Sequence, residues 1–310
     1  MTAIPFVRLA DPAYGVAVPV SPLVRRVIAN NSSKYTYHGT GTYLVGHGEV
    51  AVIDPGPNLA SHRDALRESL AGERVTAIVV THCHADHSPL AAWLSEWSGA
   101  PTIGFGPHGE VGPLEEDTKL EESIDVEFTP DVTVADGDVM ANGAGWTLQA
   151  VHTPGHTSNH LCVSLTEESA LFTGDHVMGW STTVVSPPDG DMAAYIDSLR
   201  KVAGRRDAVL WPTHGAPVTE PGPFLQAYLD HRLQREAAVL AAVRAGTTRI
   251  EDIVRLLYVD VREELHKPAA RSVLAHLVKL CDEGRVEAAT PHVAGAQRQR
   301  PWLDNEFHPI

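Results

Sequence analysis

The sequence predicts a mixed α/β fold in which stacked β-sheets carry helices on their outer faces, followed by a small helical domain. Strand-like and helix-like segments alternate first, consecutive strand-like segments follow, and a helix with one more strand comes last. After about residue 220 the pattern is almost entirely helical. The chain has 310 residues, 43% of them hydrophobic and 20% charged, which suits one large domain with a small appendage.

The first half of the chain begins with a predicted hairpin. Residues 41–46 and 49–56 are β-branched runs around Gly46 and Gly48, a pattern typical of paired strands. The elements expected after it are a helix over 59–72, a buried strand over 75–82, a helix after Pro89 and a strand over 101–105. Residues 110–138 hold eleven carboxylates against Lys119 alone, so we expect this segment to leave the core as a solvated excursion.

The second half contributes the consecutive strands and the helical tail. Strands are predicted over 146–154, 160–166 and 170–175, then a helix near 192–202 and a strand over 208–214. In the tail, one predicted helix spans 224–244, Pro268 begins another, and a short strand-like piece follows Gly284, which together predict a winged-helix-like module. The Pro-Gly-Pro of residues 221–223 marks the boundary, so the predicted domains are 1–222 and 223–310.

The tail sequence also predicts the buried face of its first helix and the start of its second. The first helix has an apolar stripe that indicates its buried face, formed by Leu225, Leu229, Leu233, Leu240 and Val243. Thr248 and Glu251 have the spacing of a capping box, which predicts the start of the second helix.

Composition limits the class of protein and its compartment. No apolar run reaches about 18 residues, so no transmembrane helix is predicted. The N-terminal residues lack the charged and apolar regions of a signal peptide. The three cysteines, Cys83, Cys162 and Cys281, are an odd number at unrelated spacings, as expected of reduced thiols. We therefore expect a cytoplasmic protein that does not bind membranes.

The formal net charge of −15 lies in the first part of the chain. Residues 1–229 hold 12 basic and 27 acidic side chains, whereas residues 230–310 hold 12 of each. An acidic surface repels polyanions, which argues against strong nucleic-acid binding, although solubility alone also explains it. In the tail, Arg271, Lys279 and Arg285 are too few and too close to acidic residues to form a basic face.

The most specific motif is THCHADHSPL at residues 81–90. Its potential ligands, His82, His84, Asp86 and His87, come directly after an apolar strand, where a loop can bring them to one point. Imidazole and carboxylate groups suit zinc and similar metals. Three further candidates, His156, Asp175 and His214, also follow apolar strands. One histidine at a strand end is usually a cap or a surface residue, but seven ligand-type residues at four strand ends predict a metal site.

These motifs resemble those of the metallo-β-lactamase superfamily, whose fold is an αββα sandwich. The resemblance implies that His82, His84 and His156 hold a first metal ion, that Asp86, His87 and His214 hold a second, and that Asp175 bridges the two. Asp54 matches an upstream aspartate that orients a ligand. The tail and the segments after Asp175 are similar to the β-lactamase-like endoribonuclease subgroup of animal mitochondria, which has a C-terminal winged-helix domain.

The resemblance implies a dinuclear hydrolase with two Zn²⁺ ions, Mn or Fe being alternatives. A hydroxide between the ions would attack an ester-type or phosphodiester bond, and Asp86 would orient it. His160 would orient the substrate or hydrogen-bond a ligand. Residues 179–191 would shape the substrate pocket. Cys83, between two ligand histidines, is expected to pack away from the metals.

Several functions stay open at this point. A single-stranded RNA endonuclease and a thioester or lactone hydrolase, similar to hydroxyacylglutathione hydrolase, are about equally supported. An iron-dependent persulfide dioxygenase is a weaker alternative, because those enzymes do not use Asp86 and His87 as ligands. True β-lactamases place Cys or Ser where this chain has Asp175, and a non-catalytic binding module would have no use for a complete ligand set. The partner is then a small molecule or a short RNA, with a homodimer as one option for assembly.

Overall fold

Two β-sheets stack face to face in the first 220 residues. A computed structural model describes residues 3–8, 12–109, 124–259, 261–289 and 302–310. The strands of the first sheet, in spatial order, are β1 (Val18–Pro19), β2 (Val24–Ile28), β3 (Gly41–Val45), β4 (Glu49–Ile53), β5 (Arg74–Val79), β6 (Thr102–Gly104) and β7 (Val132–Thr133). Strands β1 to β4 pair antiparallel, and β4 to β7 pair parallel.

The second sheet is antiparallel apart from its last strand. Its members are β8 (Val139–Gly143), β9 (Trp146–His152), β10 (Leu161–Leu165), β11 (Ala170–Gly174) and β12 (Val209–Pro212). Strand β12 pairs parallel with β11. Side chains from both sheets meet in one buried cluster, in which Tyr43, Trp146 and Phe172 are the largest fully buried members. Burial of this apolar surface from both sheets holds the sandwich together.

Helices cover the outer face of each sheet. Helices α1 (Ala60–Ser69) and α2 (Leu90–Ser98) pack on the first sheet through Leu66, Leu90 and Leu94. Helix α3 (Met192–Gly204) and the first half of α4 (Pro221–Arg244) pack on the second sheet. The predicted αββα sandwich is therefore confirmed.

The C-terminal module packs around its own apolar cluster. Its elements are the second half of α4, α5 (Ile250–Leu257), α6 (His266–Asp282), β13 (Val286–Ala289) and β14 (Glu306–Pro309). Strands β13 and β14 pair antiparallel, and Phe307 on β14 is fully buried beside Val239 and Leu277. Three helices and a two-stranded wing confirm the winged-helix-like prediction. Helix α4 begins at the predicted boundary and continues into the module, so the exact division of the chain stays a prediction.

Two details of the tail differ from the prediction. Leu233 is 38% exposed, whereas the charged residues Arg232, Arg235 and Glu236 are buried. The predicted stripe therefore fails at Leu233, where the helix faces polar groups, whereas Leu225, Leu240 and Val243 are buried and Leu229 packs against the core. The capping box is also wrong. Helix α5 begins after Arg249 without a side-chain cap, and Glu251 pairs with arginines instead.

The predictions of an acidic excursion and of no transmembrane helix can be compared only with the described residues. Residues 110–123 of the predicted acidic excursion lie outside the described residues. None of the helices in the described part of the chain has both the length and the apolar character that a membrane span requires.

Candidate metal centre

The structure brings the seven predicted ligands together at one edge of the sandwich. Each lies just beyond a strand, after β5, β9, β11 or β12, where the regular hydrogen-bonding pattern ends and a loop can turn its side chain inward. Three groups of ligand atoms lie within 4.8 Å of one another: His82 with His84 and His156, His82 with His87 and Asp175, and Asp86 with His87 and His214. The fold therefore supplies two adjoining clusters with shared members.

The first cluster consists of three imidazole nitrogens. His82 Nε2 lies 3.0 Å and His156 Nε2 lies 3.1 Å from His84 Nδ1. Ligands at the usual Zn–N distance in a tetrahedral site would be about 3.3 Å apart. The nitrogens are therefore spaced closely enough to share one ion of this size. Cys83 belongs to none of the ligand groups and packs in the buried core.

The second cluster mixes carboxylate and imidazole. Asp86 Oδ2 lies 3.4 Å from His87 Nε2 and 3.2 Å from His214 Nε2. Asp175 stands between the clusters, with Oδ1 3.5 Å from His87 Nε2 and 3.4 Å from His214 Nε2. Its other oxygen, Oδ2, is 3.9 Å from His156 Nε2 in the first cluster. One carboxylate oxygen of Asp175 thus faces each cluster.

Two buried atoms in this cluster have no hydrogen-bond partner among the described residues. They are His87 Nε2 and Asp175 Oδ1, which face each other at 3.5 Å. Buried polar atoms are nearly always hydrogen-bonded, and each exception requires an explanation such as an ion. A cation between these atoms would satisfy both, so the residues present fit a bound metal.

The remaining nitrogens of the histidines fix which ring atom is available as a ligand. In four of them Nδ1–H donates a hydrogen bond, which leaves Nε2 as the ring atom that can coordinate a metal. The acceptors are Thr81 Oγ1 for His82, Asp54 Oδ2 for His87, the Val184 carbonyl for His156 and the Gly39 carbonyl for His214. The protein therefore prepares all four rings for coordination through Nε2.

Asp54 connects the two clusters below the ligands. Its Oδ1 accepts from the Thr81 backbone N–H, and its Oδ2 accepts from the Thr81 hydroxyl and from His87 Nδ1. Because the Thr81 hydroxyl also accepts from His82 Nδ1, one carboxylate oxygen orients a histidine of each cluster. This is the geometry that the predicted orienting role requires.

The pKa values differ between the clusters. Burial lowers the pKa of His82, His84 and His156, which keeps these rings neutral as metal ligands must be. In the second cluster, burial opposes charge on His214, but Asp175 and Asp86 outweigh it and raise its pKa to about 9. Burial would likewise raise the pKa of Asp86, yet neighbouring histidines lower it to about 2. Near neutral pH, the carboxylate of Asp86 is therefore ionised and His214 is protonated. A bound cation would replace the proton of His214 and balance the carboxylate charge in its place.

His160 does not line the cavity beside the metal cluster, which corrects one of the two roles predicted for it. Its Nε2 accepts from the Asp175 backbone N–H at 3.2 Å, and its Nδ1–H donates to Thr153. Fully buried, it cannot orient a substrate, but it does hydrogen-bond a ligand residue. Gly174, with a φ of 49°, permits this contact, because a Cβ there would lie 2.6 Å from His160 Nε2.

A cavity of about 620 Å³ opens onto the clusters. Residues of the segment 179–191 line it, as predicted, with Trp180, Thr183 and Val184 among them. The stacked rings of Tyr37 and Trp180, 4.8 Å apart, form part of the wall. The C-terminal module forms another part, through residues of α4 and α6.

Sequence reasoning missed several residues around the clusters. Thr40 donates a hydrogen bond to Asp86 Oδ2 at 2.7 Å, and the Thr81 hydroxyl orients His82. His108, whose ring lies 6.4 Å from that of His84, also lines the cavity and pairs with Asp189. Thr81 belongs to the 81–90 motif and could have been found there, but Thr40 and His108 have no neighbouring pattern that distinguishes them.

Two known protein families match the sequence of this chain. The profile of the Metallo-beta-lactamase superfamily matches residues 37–214, and that of the Beta-lactamase associated winged helix domain matches residues 250–291. The chain belongs to the metallo-β-lactamase superfamily and is a hydrolase with a C-terminal winged-helix domain, as predicted.

Individual relatives resemble the chain over most of its length. A protein of Aspergillus chevalieri named Atrochrysone carboxyl ACP thioesterase is 31% identical over 283 residues, which cover 86% of this chain and 83% of that protein. The Beta-lactamase-like protein 2 homolog of Caenorhabditis elegans is 29% identical over 283 residues, with 88% of each chain covered. The crystal structure of a Beta-lactamase domain protein from Burkholderia ambifaria shares the fold, with a TM-score of 0.77 and 21% identity over 99% of this chain and 97% of that one.

Proposed function

We propose that the protein is a dinuclear metallohydrolase that cleaves an acyl ester or thioester. The placement of Asp175 carries the proposal, because one of its oxygens faces each ligand cluster. The first ion would be held by His82, His84 and His156, the second by Asp86, His87 and His214, and both by Asp175. Nitrogen and oxygen ligands suit Zn²⁺, with Mn or Fe as alternatives.

The residues of the chain prepare the site for hydrolysis. Bound ions would supply a water activated near neutral pH and would polarise the bond under attack. Asp175 fixes the separation of the two clusters, and His160 holds the Asp175 backbone in place. The Thr40 hydroxyl holds Asp86, a lining residue of the cavity, so that its carboxylate can orient the attacking water.

Three observations favour an acyl substrate over RNA. The cavity volume of about 620 Å³ is that of a small-molecule site. Outside the cavity, Lys279 and Arg285 of the C-terminal module are ion-paired with Glu236 and Glu283, so these two residues add no basic surface for a polyanion. The relative from Aspergillus chevalieri is named as a thioesterase.

A substrate panel with a matched variant tests the proposal. Zn²⁺-loaded wild type should hydrolyse members of a series of thioesters, esters and lactones. Asp175→Asn, which removes one metal-facing oxygen, should lose this activity by about a hundredfold or more. The control, Asp197→Asn, changes an exposed aspartate of α3 and should behave as wild type. Cleavage of short single-stranded RNA by wild type, with every acyl substrate inert, would contradict the proposal and favour the endonuclease.

A further inference from the structure

The cavity has a basic wall outside the metal cluster. Beyond the cluster, the formally charged lining residues in the described part of the chain are five cations and one anion, namely Lys34, Arg232, Arg235, Arg262, Arg271 and Asp189. Asp189 is itself engaged by the Ser158 N–H and by His108.

Two of these cations, Arg232 and Arg235, are buried on α4. Their exposed fractions are 3% and 6%, and the Nε atom of each has no hydrogen-bond partner among the described residues. Arg232 donates to the Thr183 carbonyl, and Arg235 Nη1 donates to the Leu257 carbonyl at 2.9 Å. These contacts leave further guanidinium N–H groups available for a ligand.

Neither guanidinium forms an ion pair with a described carboxylate. The adjacent acid, Glu236, is taken by Lys279 at 2.9 Å and Arg285 at 3.6 Å. Arg235 lies 4.0 Å over the Tyr258 ring, which offsets part of the cost of burying its charge. Arg232 lies 5.0 Å over the Tyr195 ring in the same way. Buried charges are normally paired with an opposite charge, so two guanidinium groups on a cavity wall without a described carboxylate partner indicate a site for an anion.

The wall is linked to the metal cluster by a short chain of hydrogen bonds. Arg232 holds the Thr183 carbonyl, and the Thr183 hydroxyl donates to the Asp175 backbone oxygen at 2.6 Å. Arg232, Arg235 and Asp175 also line the same cavity, so one small molecule bound there can contact both the basic wall and the cluster. Burial lowers the pKa of the neighbouring His231 to about 4, so this residue adds no positive charge to the wall at neutral pH.

We propose that Arg232 and Arg235 bind an anionic group of the substrate, a carboxylate or a phosphate, while its acyl bond lies at the metal cluster. The assignment rests on the hydrolase function proposed above and narrows its substrates to acyl esters or thioesters with a negative charge. The C-terminal module then contributes directly to substrate specificity, through the arginines of α4.

Kinetics with matched substrates test the assignment. The substrates are a neutral nitrophenyl ester and two analogues of equal length that end in a carboxylate or a phosphate. For wild type, kcat/KM for at least one charged analogue should exceed that for the neutral ester by about 10- to 100-fold, the range for a hydrogen bond to a charged group. In Arg235→Gln this ratio should fall towards one, mainly through KM, and Arg235→Lys should be intermediate. The control Arg244→Gln, an exposed residue of the same helix, should keep the wild-type ratio.

A binding measurement separates this assignment from the proposed function. Metal-depleted protein is titrated with glutarate or inorganic phosphate at constant ionic strength, and the melting temperature is recorded. Wild type should be stabilised by at least one anion, and Arg235→Gln should not. If these shifts appear while no ester is hydrolysed, the proposed function fails but the anion site stands. If Arg235→Gln and Arg235→Lys both keep the wild-type substrate ratio and the wild-type shift, the anion site is refuted.

Discussion

Asp54 controls the protonation of a ligand in each metal cluster, and this makes Asp54→Asn an informative change. The carboxylate accepts hydrogen bonds from the Thr81 N–H at 2.8 Å, the Thr81 hydroxyl at 2.8 Å and His87 Nδ1 at 2.9 Å. Asparagine has nearly the same shape and can keep its oxygen on the Thr81 N–H. Its amide group would then replace Oδ2, so a donor would face His87 Nδ1 where an acceptor is needed.

Asp54→Asn should weaken the binding of both metal ions, whereas a second variant, Thr81→Val, separates the two sites. With a donor at position 54, the proton of His87 moves to Nε2, the ligand atom, and the Thr81 hydroxyl turns towards His82 as a donor. Asp54→Asn should therefore weaken both metal sites, each by about 10- to 100-fold, or about 1.4–2.7 kcal/mol. Thr81→Val removes the partner of His82 Nδ1 and one donor to Asp54 but leaves the Asp54–His87 hydrogen bond, so it should weaken mainly the first site.

Zn²⁺ titration against a competing chelator measures both effects. Wild type should show two binding steps, Thr81→Val should shift mainly one of them, and Asp54→Asn should shift both. The exposed Asp197→Asn serves as the control for a change of charge. Wild-type affinity at both steps in Asp54→Asn, or equal losses at both steps in Thr81→Val, would refute the orienting network.

Three further predictions concern metal removal, backbone geometry and pH. Chelator treatment should abolish hydrolysis and lower the melting temperature, and Zn²⁺ should restore both; hydrolysis that survives verified metal depletion would contradict the metal mechanism. Gly174→Ala should destabilise the fold by about 2 kcal/mol or more in urea unfolding, because its φ is 49° and its Cβ would meet His160, and a loss below about 0.5 kcal/mol would show that the contact is not rigid. Burial lowers the pKa of His62 from 6.5 to about 4. The stability that the neutral, buried His62 contributes is therefore complete above pH 6.5, and the free energy of unfolding falls by about 3 kcal/mol as the pH is lowered from 6.5 to about 4. Unfolding free energies of His62→Gln should show a correspondingly smaller loss over this range, and an unchanged slope would exclude His62 as a source.

The candidate ligand set could be predicted from the sequence because it depends on local patterns. His82, His84, Asp86 and His87 lie within six residues, directly after an apolar strand. Strands β9, β11 and β12 run in the same direction, because β9 and β11 both pair antiparallel with β10 and β12 pairs parallel with β11. The loops after these strands therefore meet at one edge, which brings the more distant ligands together as well. The strands themselves were predicted where they form continuous buried runs, as in β3 and β11.

Features that depend on distant partners were not predicted. The edge strands β1 and β7 have two residues each, and β14 pairs with β13 across a long stretch of chain, so their patterns are too short to identify. The middle of α4 was misjudged because Arg232 and Arg235 are buried by contacts with the cavity wall and with Tyr258, which helical periodicity does not reveal. Thr40 reaches Asp86 only through the fold.

The central claim is that two ions are bound side by side and share Asp175. Anomalous diffraction at the Zn edge, on crystals of protein purified without chelator, tests it most directly. We expect two peaks about 3.5–4 Å apart, with one oxygen of Asp175 directed at each. A single peak, or metal bound away from the seven ligands, would contradict the account.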